Sequence, residues 1–412
     1  MMWKLKQPRI IVFITGLLLA YSAAVAGPEN GKITCSEDGF VEIDGNKKFL
    51  IGTYHLPQSE SPYRTLSKNG FNLVRVELQQ SALKSAHENK LWVWTSIGHI
   101  ADNFSAAESN AFIEKIHEWK DEPGLLFWEL EDEPAYTWGS AKPRIEPAAL
   151  IRTYNLVKKE DPDHLIYMNH APVNLVSTLQ DYNAAADILA CDVYPVIPHG
   201  IRPSYALFDD GLQGDLLNTS LSQVGEYADK MKRVSADKPL FLILQGFAWE
   251  MLRKAGDRDS AMILYPNYYQ LRFMAFNAII HGVNGLLFWG TKYTPANADF
   301  WPDLFKLTGE LSSLNAVLTA PAVDNFVEIE YQEMGHSVDA GIEILTKAVG
   351  NKIYLITANA DRNPVKIKMR GLGRFNTMSS VSGGEKIEFH NGTHIVNYKP
   401  FEVHLFIVEH KI

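Results

Sequence analysis

A chain of 412 residues that is 46% apolar, 21% charged and 11% aromatic, with 28 Gly, 20 Pro and two Cys, is neither disordered, collagen-like nor a disulfide scaffold. It is long enough for one large α/β domain with an appendage, or for two to three ordinary domains. The net charge of −9, with no Lys/Arg block interleaved with aromatics, argues against a phosphate-neutralising surface and therefore against nucleic acid as a partner.

The N-terminus reads as a secretory leader. Lys4, Lys6 and Arg9 precede an apolar run from Ile10 to Ala20, and Ala24-Val25-Ala26 supplies the small residues of a cleavage site. A signal peptide is expected over 1–26, with Gly27 as the mature start and a secreted or periplasmic location. The apolar run falls well short of the roughly 20 residues that cross a bilayer, so no membrane span is expected after cleavage. Loss of the three basic residues takes the net charge from −9 to −12. Cys35 and Cys191 lie far apart, and their pairing stays open. The sequons at Asn103, Asn218 and Asn391 matter only in a eukaryotic secretory pathway.

Next comes a lead-in over 27–47, where Phe40 to Ile43 and Lys48 to Leu50 flank Asp44-Gly45 as a hairpin expected to cap the bottom face of the adjoining domain. In that domain, from about 48 to 321, eight short β-rich runs alternate with amphipathic stretches. They are Phe49–Thr53, Leu73–Val76, Leu91–Trp94, Leu125–Trp128, Leu165–Met168, Ile188–Ala190, Phe241–Leu244 and Gly285–Trp289. Between them, Ala111–Trp119 and Tyr268–Ile280 carry apolar residues at helical spacing. Eight such units match a (β/α)8 TIM barrel, whose catalytic groups sit at the carboxyl ends of the strands. An open doubly wound sheet is the alternative, but no Gly-rich phosphate loop follows the first strand. Over 322–412 the rhythm becomes all-β: Phe326–Tyr331, Ile342–Leu345, Lys352–Ala358, Val365–Met369, Lys386–Phe389 and Val403–Val408 are expected strands of a C-terminal antiparallel β-sandwich.

Chemistry concentrates at Trp128-Glu129-Leu130-Glu131-Asp132-Glu133-Pro134, a run of carboxylates ending the fourth strand. Period two would place Glu129, Glu131 and Glu133 on one face, where they raise one another's pKa. Glu133 is the candidate general acid, and Arg75 on strand two is a candidate partner for the buried acids. Trp94, Trp138, Trp249, Trp289, Tyr194 and Tyr293 fall at or beyond strand ends, where flat rings can stack on the apolar face of a ligand. His55 and His99 follow strands one and three. Trp92 and Trp128 read as core, and Trp94 reads equally well either way. His99, Asp102 and His281 make no metal-ligand spacing on one element, and no Gly-x-Ser-x-Gly elbow is present. Neither a metal nor a cofactor is expected.

Asp132-Glu133-Pro134 resembles the Asn-Glu-Pro signature of the large clan of retaining (β/α)8 glycoside hydrolases. The resemblance implies an acid/base role for Glu133 and sugar contact for Asp132. Arg75 is similar to the clan's strand-two arginine, Asp192-Val193-Tyr194-Pro195 to its Asp-x-Tyr-Pro segment, and Trp289 to the strand-eight aromatic beneath the sugar. Where the clan carries its nucleophilic Glu, strand seven has Gln245, and an amide cannot form a glycosyl-enzyme ester. Three routes remain open. Asp192 or Glu77 positions water for inversion, at about 6.5–9.5 Å from Glu133; or the substrate supplies its own nucleophile, oriented by Gln245; or the barrel binds glycan without cleaving it. The expected function is a secreted glycosidase with Glu133 and Asp192 catalytic and with Arg75, Asp132, Tyr194, Gln245, Trp289, His55 and Trp94 lining the subsite for an oligo- or polysaccharide.

Overall fold

The computed structural model describes residues 31–101, 103–136, 142–198, 220–333, 338 and 340–409. The expected leader, Asp102, Trp138 and the Asn218 sequon lie outside them. The chain opens with a small antiparallel sheet of β1 (Ile33–Cys35), β2 (Val41–Ile43) and β3 (Asn46–Lys48). Asp44 and Gly45 take φ of 52° and 73°, the two positive values that a tight primed turn requires. Val41 and Ile43 share a buried cluster with Leu50, Leu73, Leu165 and Ile188, the first residues of four barrel strands. The hairpin therefore plugs the amino end of the barrel.

All eight expected strands form, and they close into a parallel barrel: β4 (Leu50–Thr53), β5 (Leu73–Arg75), β6 (Trp92–Ser96), β7 (Leu125–Asp132), β8 (Leu165–His170), β9 (Ile188–Val193), β10 (Leu240–Gln245) and β11 (Gly285–Trp289). Alternation sorts their side chains. Tyr167, Ala190, Phe241, Ile243 and Leu287 fill the interior, while Ile166, Met168, Leu189, Cys191, Leu242 and Leu286 meet the helices. Each large apolar side chain so buried contributes about 1.5–3 kcal/mol. The helices start where their caps allow: Ser105 and Glu108 form a capping box ahead of Ala106–Trp119, and Asn267 and Gln270 do the same ahead of Tyr268–Ile280. Among the described residues, no helix is long and apolar enough to cross a membrane.

Two antiparallel sheets follow, β12 (Glu328–Glu333) with β15 (Val365–Arg370) and β17 (His394–Tyr398), and β13 (Ile342–Val349) with β14 (Lys352–Asn359), β18 (Val403–Glu409) and β16 (Thr377–Ser380). They pack face to face on Leu355, Ile367, Met369, Tyr398, Phe406 and Val408. Lys386–Phe389 is not a strand, contrary to the sequence expectation. Its apolar pair, Ile387 and Phe389, packs against the sandwich core without a ladder, and Lys386 makes only an isolated bridge to Ser379. The strands at β16 and β17 carry too little apolar alternation to have been found. Arg272 ties the sandwich to the barrel helices, bonding Glu310 and, at 2.7 Å, the Val403 carbonyl. Cys35 is exposed, Cys191 is buried, and both are free.

Candidate active site

The acidic run does not keep period two. The register between β7 and β8 slips between Glu129 and Asp132, so a bulge brings Asp132 rather than Glu131 level with Asn169. Glu129, Glu131 and Glu133 therefore do not share a face. Glu129 is buried under the mouth on Arg75 (Nε to Oε2, 2.9 Å), the partner expected for it, and the other arm of Arg75 reaches Glu77 at 2.9 Å. Burial pushes the Glu129 carboxyl up to about 7 in spite of Arg75. Glu131 turns aside to His99 at 2.8 Å and towards Arg144 at 3.9 Å.

Asp132 is exposed at the mouth, and its Oδ1 accepts a 2.9 Å hydrogen bond from Asn169. Glu133 follows with φ of 46°, a left-handed value that costs a non-glycine residue of the order of 1 kcal/mol or more. Its N–H bonds the Asn169 carbonyl at 3.0 Å, and its side chain is hydrogen-bonded to Asp192 at the end of β9. Burial, then the charges of Asp192 and Asp132, hold the Glu133 carboxyl far above the ordinary range. Asp192 is raised as well, by burial and by Asp132, and is drawn down by the bonds from Glu133 and Asn169. Both members of the pair are thus raised, Glu133 further than Asp192, and they share a proton across their hydrogen bond. A gap of 6.5–9.5 Å, with water between the two acids, is not present. Direct bonding across β8 has replaced it.

The other half of the mouth is aromatic. Tyr194 stacks on Trp289 with ring centroids 5.8 Å apart, and Phe247 and Trp249 pack at their edges. His55 and Tyr293 complete the wall at 5.8 and 5.7 Å from Trp289. Gly290 lets it close: at φ 87°, a Cβ there would sit 2.4 Å from the Phe247 ring. The His55 Nδ1 accepts the Gly290 N–H at 3.3 Å, and burial beside Lys292 and Arg75 pulls the ring down to about 3, so it is neutral and presents Nε2–H.

Two expected subsite residues are elsewhere engaged. Gln245 is fully buried, and its amide accepts the Val196 N–H (2.9 Å) while donating to the Val196 (2.9 Å) and Phe247 (3.0 Å) carbonyls. A side chain saturated by backbone orients no substrate; it ties the ends of β9 and β10 together. Trp94 is also fully buried, stacked on Phe127 and edge-on to Tyr54, inside the barrel below the mouth. Trp128 is core, as expected. Sequence reasoning missed Asn169 and Arg144, which bonds the Asp132 carbonyl. Asn169 was findable as a polar residue ending a barrel strand. Among the described residues, no group of three or more His, Cys, Asp or Glu is placed to hold a metal.

No protein-family model matches the sequence, and neither does any curated protein. Among solved structures the chain is similar to a GH27 β-L-arabinopyranosidase from Geobacillus stearothermophilus, with a TM-score of 0.56 and 11% identity over 89% of this chain and 97% of that one. It is similar to an α-amylase from Geobacillus thermoleovorans (TM-score 0.55, 9% identity, 88% and 99% covered) and to an Anoxybacillus α-amylase (0.51, 10%, 88% and 98%). The fold shared with them is the (β/α)8 barrel. At such identities the likeness extends to the fold alone.

Proposed function

We propose that the protein is a secreted glycoside hydrolase in which Glu133 is the general acid and Asp192 the second carboxylate, with an oligo- or polysaccharide stacked on the Tyr194–Trp289 wall. The single observation carrying this reading is the Glu133–Asp192 hydrogen bond, which joins two carboxyls that burial raises, Glu133 further than Asp192, so that a proton is shared between them. Carboxyls in contact lie nearer the roughly 5–5.5 Å of retaining enzymes than the wider gap of inverting ones. Retention follows as the expected outcome. The glycosidic oxygen takes the Glu133 proton as the C1–O bond breaks, Asp192 bonds C1, and water activated by the ionised Glu133 releases the sugar. This pair comes from strands four and six, so the resemblance to the clan extends to Glu133 and not to a strand-seven nucleophile. Cleavage after Ala26 belongs to the same proposal.

The rival is a barrel that holds glycan without cutting it, favoured by the neutral Gln245. A polysaccharide panel with reducing-end detection separates them. Hydrolysis that falls by about 10²–10⁴ in both Glu133→Gln and Asp192→Asn, with binding kept, supports the enzyme. Glycan binding without turnover in the wild type, indifferent to Glu133→Gln, supports the binder.

A further inference from the structure

Asn169 stands at the centre of the acidic half of the mouth without being one of its acids. It lies on β8, between the strands that carry Asp132 and Asp192, and is only 4% exposed. Its Nδ2 donates to Asp132 Oδ1 at 2.9 Å and reaches Asp192 Oδ1 at the longer distance of 3.5 Å. Its backbone carbonyl accepts the Glu133 N–H at 3.0 Å. One residue therefore touches all three members of the cluster. Its own Oδ1 is buried with no protein partner. Chemistry fixes this orientation, because turning the amide over would set an acceptor against two carboxylates. An unpaired buried oxygen is a cost that a packing role would avoid, since a Leu of similar bulk leaves nothing unsatisfied. What the amide gains in return is its NH2 group, aimed at both acids.

We propose that Asn169 is the positioning residue of the Glu133–Asp192 pair: its amide holds Asp132 and Asp192 as hydrogen-bond acceptors, so that the proton of the cluster is carried by Glu133. The inference rests on the reading of Glu133 and Asp192 as the acting pair. A donor aimed at a carboxyl favours its ionised form. Asp132 and Asp192 receive that donor, whereas Glu133 is held by Asn169 only through its main chain, which fixes its position and leaves its carboxyl free to keep the proton. Three neighbouring acids at the mouth would otherwise compete for it. Asn169 breaks the tie.

The test needs no substrate. The full mature chain is labelled with ¹³C at Asp and Glu carboxyls and titrated by NMR, with signals assigned through Asp132→Asn, Asp192→Asn and Glu133→Gln. In Asn169→Ala, the Asp132 and Asp192 signals are expected to titrate higher by on the order of one pH unit, with Glu133 less protonated at neutral pH. Asn169→Ser, which keeps a donor, shifts them less and in the same direction, and serves if the alanine variant does not fold. A merely structural role would lower the melting temperature of either variant and leave the titrations in place. Unmoved Asp132 and Asp192 signals overturn the inference alone. A highest-titrating signal that survives Glu133→Gln overturns instead the acid assignment beneath it.

Discussion

The barrel buries carboxylates at both ends and treats them in opposite ways. At the amino end, beside the hairpin plug, Asp161 is 2% exposed and accepts the Trp128 Nε1–H at 2.7 Å, His164 Nδ1 at 2.9 Å, and the N–H groups of Asp163 and His164. Burial pushes it up, but His164 and Trp128 outweigh burial and hold it down at about 2. At the carboxyl end Glu133 and Asp192 have chiefly each other, and both are raised. A carboxylate ringed by donors holds the fold together. Two carboxyls left to share a proton destabilise it, and the strained φ of Glu133 adds to that cost, as the proposed proton-transfer role requires.

The sharpest break of this contrast lies in Gln245, which is at the mouth but bonded like the floor. Gln245→Glu would face two backbone carbonyls with a buried anion. We expect a loss of about 3–5 kcal/mol in denaturant titrations and no gain in glycoside hydrolysis. New activity in that variant would show that the side chain serves the sugar after all. Next in size is Asp161→Asn, which sets an NH2 group among donors and costs about 2–3 kcal/mol. Because the folded pKa of Asp161 lies below its unfolded value, its contribution is present above about pH 4 and is lost between about pH 4 and 2. The gap between wild type and variant should close over that window in acid melts.

How legible each end was in the sequence follows from the same physics. The eight strands were readable because burial on both faces demands β-rich apolar runs, and Glu133 because its run of acids ends a strand at Pro134. The bulge after Glu129 left no mark: nothing in Glu-Leu-Glu-Asp distinguishes a regular period from a slipped one, so Glu131 was placed on the wrong face. Gln245 sits where an aligned nucleophile would, and only its three backbone partners, which come from the β9 and β10 ends, reveal another role. Trp94 was ambiguous since interior and mouth differ by less than one strand length. Asn169 gained its meaning from two neighbouring strands that only closure of the barrel brings beside it.

Removing an acid at the mouth should have the opposite sign to Asp161→Asn. Groups whose folded pKa is raised stabilise fully below their unfolded pKa, and that contribution is lost as pH rises through the folded pKa. Glu133→Gln and Asp192→Asn are therefore expected to melt higher than wild type at pH 8, by about 1–2 kcal/mol, and no higher at pH 4. If the proposed function holds, hydrolysis should fall on the acid side well above the usual carboxylate range, where Asp192 gains its proton, and fall again in alkali as Glu133 loses its own. Equal melting at both pH values would mean the mouth is no less satisfied than the floor.

The smallest effect belongs to a third carboxylate environment, on the flank where the sandwich meets the barrel helices. There the His281 ring lies within ion-pair range of Asp229, at 3.0 Å, and of Glu343 of β13, at 3.1 Å. Burial lowers the ring's proton affinity, but Glu343 and then Asp229 outweigh it and raise the pKa to about 9. The sign follows from a folded value above the unfolded one of about 6.5: the stabilisation is complete below that pH and vanishes as pH climbs through about 9. Since Asp229 is 59% exposed, solvent screens its share, and about 1 kcal/mol is expected between pH 6 and pH 10. His281→Gln should melt lower than wild type at pH 6 and alike at pH 10. A constant difference would mean that the ring acts there through packing, and that a cation between acids adds nothing to how this flank holds.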